Sequence, residues 1–211
     1  KRGKGGGIVK CDDPTHAREA AERLLGSQLG DFMVERVLVE GCADISRELY
    51  VAVTIDPAAG GPLLMVSTEG GMDIEEVHAT SPDKIQMINV DIGAGLGAGQ
   101  AMDIAVSTNL DPSTHVPLAG MLLSLYGLFR QFDAQLLEIN PLALTNQGEL
   151  IALDCKLVID DNAVFRQPAA GPERPIGTPL ELEAKEQDFL FVELEGDVGV
   201  LANGAGLTMS T

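Results

Sequence analysis

Two apolar stretches separated by a three-residue turn constrain the fold more than any other feature of this chain. Residues 136–144 and 149–159 are the strongest strand patterns, and Asn146, Gln147 and Gly148 lie between them. A three-residue loop with glycine at its third position is typical of a type I turn followed by a glycine bulge. We therefore predict an antiparallel hairpin centred on Gln147.

This register predicts that one face of the hairpin is polar. Asn140 is then opposite Asp154, and Glu138 is opposite Lys156. The other face of the hairpin is apolar and is expected to pack in the core. Its residues are Leu137, Ile139, Ile151, Leu153 and Leu157.

The polar face is a candidate metal site. Carboxylate and amide oxygens are hard ligands, and proteins usually hold magnesium with one or two carboxylates plus substrate phosphates. Asn140 and Asp154 therefore predict a Mg-nucleotide site, with Asp154 as the most informative residue because it interrupts an apolar strand. The alternative is a solvated sheet face on which Glu138 and Lys156 form an exposed ion pair that contributes little.

The remaining pattern predicts a mixed α+β fold. An apolar stripe and acidic caps indicate a helix over 14–25, and a leucine-rich segment indicates a core helix over 118–132. The proline-rich segment 167–179 indicates a linker or extended loop. A further helix is expected over 180–188, and strands are expected at 8–11, 37–40, 49–55, 63–67 and 198–202.

Other segments are weaker candidates for phosphate or nucleotide binding. Residues 1–7 combine three cations with four glycines, and 203–207 form a glycine turn after an apolar run, so either could bring backbone amides close to an anion. Glu40 and Glu48 stand at the ends of predicted strands, where a carboxylate can accept from a ribose or an adenine. Disordered ends, a plain turn and solvated glutamates are the alternatives. The glycine-rich run 93–99 is expected to be a loop, since no complete strand–turn–helix unit surrounds it.

Composition excludes several classes of function. The formal net charge of −18 disfavours nucleic acid or an anionic membrane as a partner. No apolar run is long enough to span a bilayer, and three unevenly spaced cysteines fit reduced thiols, so we expect a soluble cytoplasmic protein. The three histidines stand outside any triad-like pattern. The chain starts without Met inside a glycine cluster and ends soon after another one, so we expect both ends to be cut.

Several motifs, in order, resemble the β subunits of succinate–CoA ligases. The resemblance spans nearly the whole chain and includes residues 2–7, which are similar to the glycine-rich ATP loop of that family. The other matching segments are 38–40, 47–50, 67–71, 137–142, 153–157, 161–168 and 203–207. The resemblance implies an ATP-grasp fold over 1–170, a linker and helix over 171–190, and the first strand and turn of a flavodoxin-like CoA-ligase domain over 191–211. It also implies that an N-terminal segment and most of the C-terminal domain are absent from this chain.

The resemblance also implies roles for individual residues. Asn140 and Asp154 would bind Mg²⁺ with Glu138 beside them, and Asn203 would bind the acid substrate or face the phosphoryl carrier. The nucleotide, ATP/ADP or GTP/GDP, would contact Arg2, Gly3, Lys4, Glu40, Ala43 and Glu48.

The implied reaction forms succinyl-CoA from succinate and CoA in the tricarboxylic acid cycle. A phosphoryl group would pass through a phosphohistidine of a separate α subunit, in the cytoplasm or, in a eukaryote, the mitochondrial matrix. Cys155 replaces a glycine that is common in the family, and the proline-rich stretch 167–179 differs from the usual acidic, Arg-containing segment there. Two alternatives remain: a malate–CoA ligase β subunit, which the stretch 70–76 would also suit, and a catalytically inert acidic scaffold domain of the same fold.

Overall fold

A computed structural model describes residues 6–30, 32–72, 74–168, 178–187, 189–194 and 196–203. The chain divides into two compact units, Lys1–Phe165 and Arg166–Thr211. Within the described ranges, no helix combines the length and the apolar character needed to cross a membrane.

The first unit contains most of the regular structure. It begins with helix α1, Pro14–Leu24, whose N-cap Asp13 accepts a hydrogen bond from the His16 amide as the acidic start signal predicts. Its elements after α1 are β1 Gln28–Leu29, β2 Phe32–Met33, β3 Ile45–Asp56, β4 Gly61–Ser67, α2 Ile74–Thr80, β5 Ile85–Asn89, α3 Ala98–Ser107, α4 Pro112–Gln131, β6 Ala134–Thr145, β7 Leu150–Ala152 and β8 Lys156–Ile159. Short 3₁₀ helices cover Pro82–Lys84 and Asp161–Arg166.

The centre of the first unit is a six-stranded antiparallel sheet in the order β5-β4-β3-β6-β7, with β8 also paired to β6. Helices α3 and α4 pack on one face of this sheet and form the hydrophobic core with it. The core residues of β3 alternate along the strand, whereas those of β6 alternate only from Leu137 to Ile139, because register shifts interrupt β6 on either side. They are Leu49, Val51, Val53, Ala134, Leu137, Ile139 and Leu142.

The hairpin register predicted from the sequence is confirmed on both sides of an interruption. Near the turn Leu142 pairs with Ala152, and further away Glu138 pairs with Lys156. Both pairs are centred on Gln147. Between them, residues 153–155 leave the ladder, although the Leu153 amide still donates to the Pro141 carbonyl over 3.2 Å. The prediction of one continuous strand over 149–159 is therefore wrong: Pro141 has no N–H to donate, and the ladder breaks beside it.

Three other predicted strands are wrong. Residues 8–11, 37–40 and 198–202 are irregular, and no described strand pairs with them. Leu38 is 83% exposed and Leu201 is 95% exposed. A short apolar run becomes a strand only when a neighbouring strand accepts its backbone hydrogen bonds, and these runs lack one among the described residues.

The predicted strands over 49–55 and 63–67 and the core helix are confirmed as parts of β3, β4 and α4. Helix α3 was not predicted: the glycine-rich run is a loop only up to Gly97, which caps that helix. Its small residues pack tightly, with Ala101 and Ala105 fully buried. Alanine-rich packing of this kind gives a weak periodic signal in a sequence.

The second unit contains one described helix, α5, Pro179–Glu186. Thr178 and Glu181 form a capping box at its start, which agrees with the helix predicted over 180–188. The Glu181 carboxylate also accepts from the Glu193 amide over 3.0 Å. Residues 169–177 lie outside the described residues, so the linker boundaries stay a prediction.

Candidate functional site

A bulge in β6 aims the polar side chains of the hairpin into one cleft. Leu49 of β3 pairs with Leu142, but Val51 pairs with Ile139, so Asn140 and Pro141 together lie opposite Tyr50. An extra residue in one strand bends that strand and redirects its side chains. A proline is tolerated in such a bulge because the ladder needs no N–H from that residue. The Asn140–Pro141 peptide is cis.

This bulge borders a cleft of about 610 Å³ that includes part of the polar face predicted from the sequence, without Asp154. Three of its lining residues, Glu138, Asn140 and Lys156, come from that face. The others, which the sequence analysis did not propose, are Tyr50, Ile74, Glu75 and Glu76. Three carboxylates and one ammonium group give the cleft an acidic lining, which would repel a phosphate that arrived without a cation.

Tyr50 is the buried base of this cleft. Its side chain is 2% exposed, and its hydroxyl donates to Glu138 Oε2 over 3.5 Å. Burial raises the pKa of Tyr50 far above its usual value, and the nearby carboxylates of Glu138 and Glu75 raise it further. The phenol therefore stays protonated around neutral pH and donates its hydrogen bond to the Glu138 carboxylate.

Asn140 joins the hairpin to the turn formed by residues 69–72, the double-glycine turn. Its Oδ1 accepts from the Gly71 amide over 2.8 Å, and its Nδ2 donates to the Met72 carbonyl over 2.9 Å. An N–H on one side and a carbonyl on the other fix which way the amide points. Oδ1 keeps a second lone pair, so the same atom can still serve a metal ion.

Asp154 lies in the break between β7 and β8, with its side chain exposed. Its Oδ1 accepts from the Cys155 amide over 2.9 Å. The expectation that it interrupts a continuous apolar strand is wrong, because residues 153–155 are irregular. The unchanged register on either side still brings Asp154 to the level of Asn140 along the hairpin.

The donor set fits a magnesium ion that arrives with phosphates. Asn140, Asp154 and the neighbouring Glu138 offer hard oxygens, the ligands Mg²⁺ prefers. No group of three or more His, Cys, Asp or Glu side chains in the described ranges is arranged to enclose a metal. A site with few protein ligands suits magnesium bound together with a nucleotide. In the part of the chain that the structure describes, Glu138 and Lys156 do not form the exposed ion pair that was predicted for a solvated sheet face.

A second, smaller cleft of about 330 Å³ includes two residues of the double-glycine turn. It is lined by Arg47, Glu48, Thr68, Glu69 and Gly70. The Lys84 ammonium lies 2.7 Å from Glu69 Oε1. Of the residues predicted to bind nucleotide, Glu48 is the one that lines this cleft.

Among the described residues of the first unit, no other residue predicted to bind nucleotide lines either cleft, and neither does Asp154. Arg2, Gly3 and Lys4 lie outside the described residues. Glu40 and Ala43 belong to an irregular segment before β3, and neither lines either cleft. Asn203 is exposed and belongs to the second unit.

The cleft residues missed by sequence reasoning carried only weak signals. Tyr50 continues an apolar strand pattern, and its place beside Glu138 depends on the β3–β6 pairing. Glu75 and Glu76 read as ordinary solvated residues at the start of a short helix, α2. The double glycine before them was the one available signal, since adjacent glycines indicate a tight approach of the backbone.

Comparison with known proteins identifies the family to which this antiparallel sheet, with helices on one face and a polar cleft on the other, belongs. The family model described as an ATP-grasp domain matches residues 1–144. The chain therefore belongs to the ATP-grasp family, and the expected α+β ATP-grasp fold is confirmed.

Similar proteins include the succinate–CoA ligase [ADP-forming] β subunits of Rubrobacter xylanophilus, 42% identical, and Natronomonas pharaonis, 43% identical. Both alignments cover 100% of this chain but 55% and 56% of the relatives. The resemblance inferred from the motifs is thus confirmed, and the chain spans about half the length of the relatives it matches.

Solved structures of ATP citrate lyases share the fold. The enzyme from Methanothrix soehngenii, in complex with citrate and coenzyme A, is 22% identical with a TM-score of 0.60. That match covers 88% of this chain and 44% of the other. The Methanosaeta concilii enzyme in complex with (3S)-citryl-CoA gives 20% identity and a TM-score of 0.54, with 82% and 41% covered.

Proposed function

We propose that this chain is the nucleotide-binding part of the β subunit of an acid–CoA ligase, with succinate as the acid. The observation that carries the proposal is the interrupted hairpin, whose register brings the oxygens of Asn140 and Asp154 to the same level beside the acidic cleft. The similarity of this whole chain to about half of the succinate–CoA ligase β subunits supports the same function. The activity of the whole protein would convert ATP, succinate and CoA into ADP, phosphate and succinyl-CoA.

Magnesium would be held by Asn140 Oδ1 and the Asp154 carboxylate, with Glu138 beside them. The ion would supply positive charge against the phosphate oxygens, which is the main stabilisation that a phosphoryl transfer requires. The acidic lining of the larger cleft explains why the nucleotide would need this cation. Tyr50, held protonated, would keep the Glu138 carboxylate oriented by its hydrogen bond.

The nucleotide would extend from this hairpin toward Glu48 and the smaller cleft. Arg2, Gly3 and Lys4 would bring cations and backbone amides to the phosphates, and Glu40 and Ala43 would lie along the nucleotide. ATP/ADP is the proposed pair, as in the names of the related β subunits. Asn203 would contact the acid substrate.

The proposed partner is an α subunit that carries the phosphorylated histidine and, with this chain, binds CoA and the dicarboxylate. The net charge of −18 gives no support for nucleic acid or an anionic membrane as a partner. A cytoplasmic location, or the matrix in a eukaryote, fits this role.

The experiment is a thioester-formation assay with ATP, CoA and either succinate or malate. It uses the protein in the full form that its gene encodes, co-expressed with its α subunit. We expect succinyl-CoA formation that requires magnesium and is lost in Asn140→Ala. A preference for malate would mean that malate, not succinate, is the acid substrate. Nucleotide binding without any thioester formation would establish the inert scaffold instead.

A further inference from the structure

We infer that the double-glycine turn, residues 69–72, is a positioning element that orients the Asn140 amide and leaves the space in which the Glu48 carboxylate lies. This inference rests on the proposed function, in which these two side chains bind the nucleotide and its magnesium. It assigns a role to Gly71, which has no side chain and touches no substrate itself.

The turn is attached to β6 through Asn140. Both polar atoms of the Asn140 side chain are used: Oδ1 accepts from the Gly71 amide at 2.8 Å and Nδ2 donates to the Met72 carbonyl at 2.9 Å. Two hydrogen bonds from one planar amide fix its orientation as well as its position. The turn therefore determines the direction in which the free lone pair of Oδ1 points.

The turn is attached to β3 through its backbone. The Gly70 amide donates to the Glu48 carbonyl over 2.9 Å. A Cβ at Gly70 would lie 2.6 Å from the Leu49 nitrogen, a backbone atom inside the sheet that cannot move aside. Residue 70 must therefore be glycine for the turn to reach β3.

Gly71 is where the turn meets the Glu48 carboxylate. Its φ is +70°, a conformation that side chains rarely adopt, and the space of a Cβ at this residue is taken by Glu48 Oε2. Any side chain at residue 71 would displace the carboxylate. Because the Gly71 amide also bonds Asn140, one substitution would disturb both proposed ligands.

The turn is linked to both clefts, because two of its residues line the smaller cleft and two others bond to Asn140 in the lining of the larger one. Asn140 lines the larger cleft, while Glu48, Glu69 and Gly70 line the smaller one. A nucleotide whose phosphates reach Asn140 and whose remaining part reaches Glu48 would cross this turn. The spacing of the two clefts is then set by the turn.

The test compares Gly71→Ala with Gly60→Ala. Gly60 has a similar φ of +66°, but a Cβ there would meet nothing within 4 Å. Both variants place alanine at a similar positive φ, but only the Cβ of Gly71→Ala would displace the Glu48 carboxylate. We expect calorimetric titration with Mg-ADP to show at least about tenfold weaker binding for Gly71→Ala and unchanged binding for Gly60→Ala. Equal affinities of the two variants would overturn the inference.

A double variant locates the cause. If Gly71→Ala acts partly through the Glu48 carboxylate and partly through Asn140, then Gly71→Ala combined with Glu48→Ala will bind Mg-ADP more weakly than Glu48→Ala alone, but by less than the sum of the two single losses. Fully additive losses would contradict this route.

A third measurement needs no ligand. Amide hydrogen exchange at Gly71 should accelerate in Asn140→Ala, since its acceptor is removed, while exchange at Gly60, which donates to the Asp56 carbonyl, should not change. Unchanged exchange at Gly71 would show that Asn140 does not anchor the turn. If the wild-type protein fails to bind Mg-ADP, both the proposed function and this inference are overturned. If the wild type binds Mg-ADP but Gly71→Ala and Gly60→Ala bind it with equal affinity, only the inference is overturned.

Discussion

The two faces of strands β3 and β6 differ in what they do for the molecule. One face packs Leu49, Val51 and Ile139 against α3 and α4 and is almost completely buried. The opposite face presents Tyr50, Glu138 and Asn140 to a cleft. Because side chains alternate along a strand, the same two segments can carry the core and the site with little overlap. Stability and ligand binding should therefore respond to different substitutions.

The largest effect on stability is expected from the core side. Leu122 of α4 is fully buried, and Leu122→Ala should lower the free energy of unfolding by about 2–5 kcal/mol through lost contacts and a cavity. Urea unfolding measures this change. Leu128→Ala on the same helix is the control, because Leu128 is 44% exposed and should cost much less. Similar losses for both would mean that α4 does not present Leu122 to the core.

On the cleft side, substitutions are expected to weaken Mg-ADP binding rather than to lower the free energy of unfolding. Asp154→Ala should weaken Mg-ADP binding by at least about 100-fold, or roughly 2.7 kcal/mol, because a metal ligand is removed. The exposed Asp154 should contribute little to the free energy of unfolding. Asp103→Asn, an exposed carboxylate on α3, is the matched control for titration calorimetry. Unchanged affinity in Asp154→Ala would refute the site assignment.

Tyr50 sharpens the comparison because it is buried yet belongs to the cleft side. Burial and the carboxylates of Glu138 and Glu75 raise its pKa in the folded protein, so the unfolded chain releases this proton first, near pH 10. The folded state then holds more protons, and its stability falls as the pH rises above about 10. The wild type should lose stability more steeply there than Tyr50→Phe, by at most about 1.4 kcal/mol per pH unit.

Urea unfolding between pH 8 and 11 measures that difference. The chain has two tyrosines, so a Tyr126→Phe background leaves Tyr50 as the only phenol for a spectroscopic titration. Ionisation of the folded protein at pH 10 would contradict the buried position of the hydroxyl.

The smallest effect concerns Cys155, next to the proposed metal ligand. Partial burial raises the pKa of the Cys155 thiol, and the carboxylates of Asp154 and Glu138 raise it further. Removing one of these charges in Asp154→Asn should increase the thiolate fraction and speed alkylation by iodoacetamide about twofold at pH 8. The exposed Cys42 serves as an internal reference in the same digest. A slower reaction in the variant would mean that Asp154 does not act on this thiol.

The hairpin shows how far the sequence alone predicts the site. Alternation and the turn at Gln147 gave the correct pairing of Glu138 with Lys156, because both are local signals. The break at residues 153–155 was missed, since it follows from the pairing of Pro141 in three dimensions. The predicted strands at 8–11 and 37–40 failed for a related reason: a short apolar run does not reveal whether a partner strand exists.

The double-glycine turn lies beyond local reasoning for a different reason. Its bonds join residues far apart in the chain, with Gly71 bound to Asn140 and Gly70 bound to Glu48. The residues themselves resemble any exposed turn. Only the packed structure shows that the glycines make room for a carboxylate and a strand.

The most direct test of the account is a crystal structure of the protein with Mg-ADP. We predict a magnesium ion bound by Asn140 Oδ1, the Asp154 carboxylate and phosphate oxygens, with the nucleotide running past the double-glycine turn toward Glu48. A nucleotide bound elsewhere, or a magnesium ion held by residues other than Asn140 and Asp154, would contradict it.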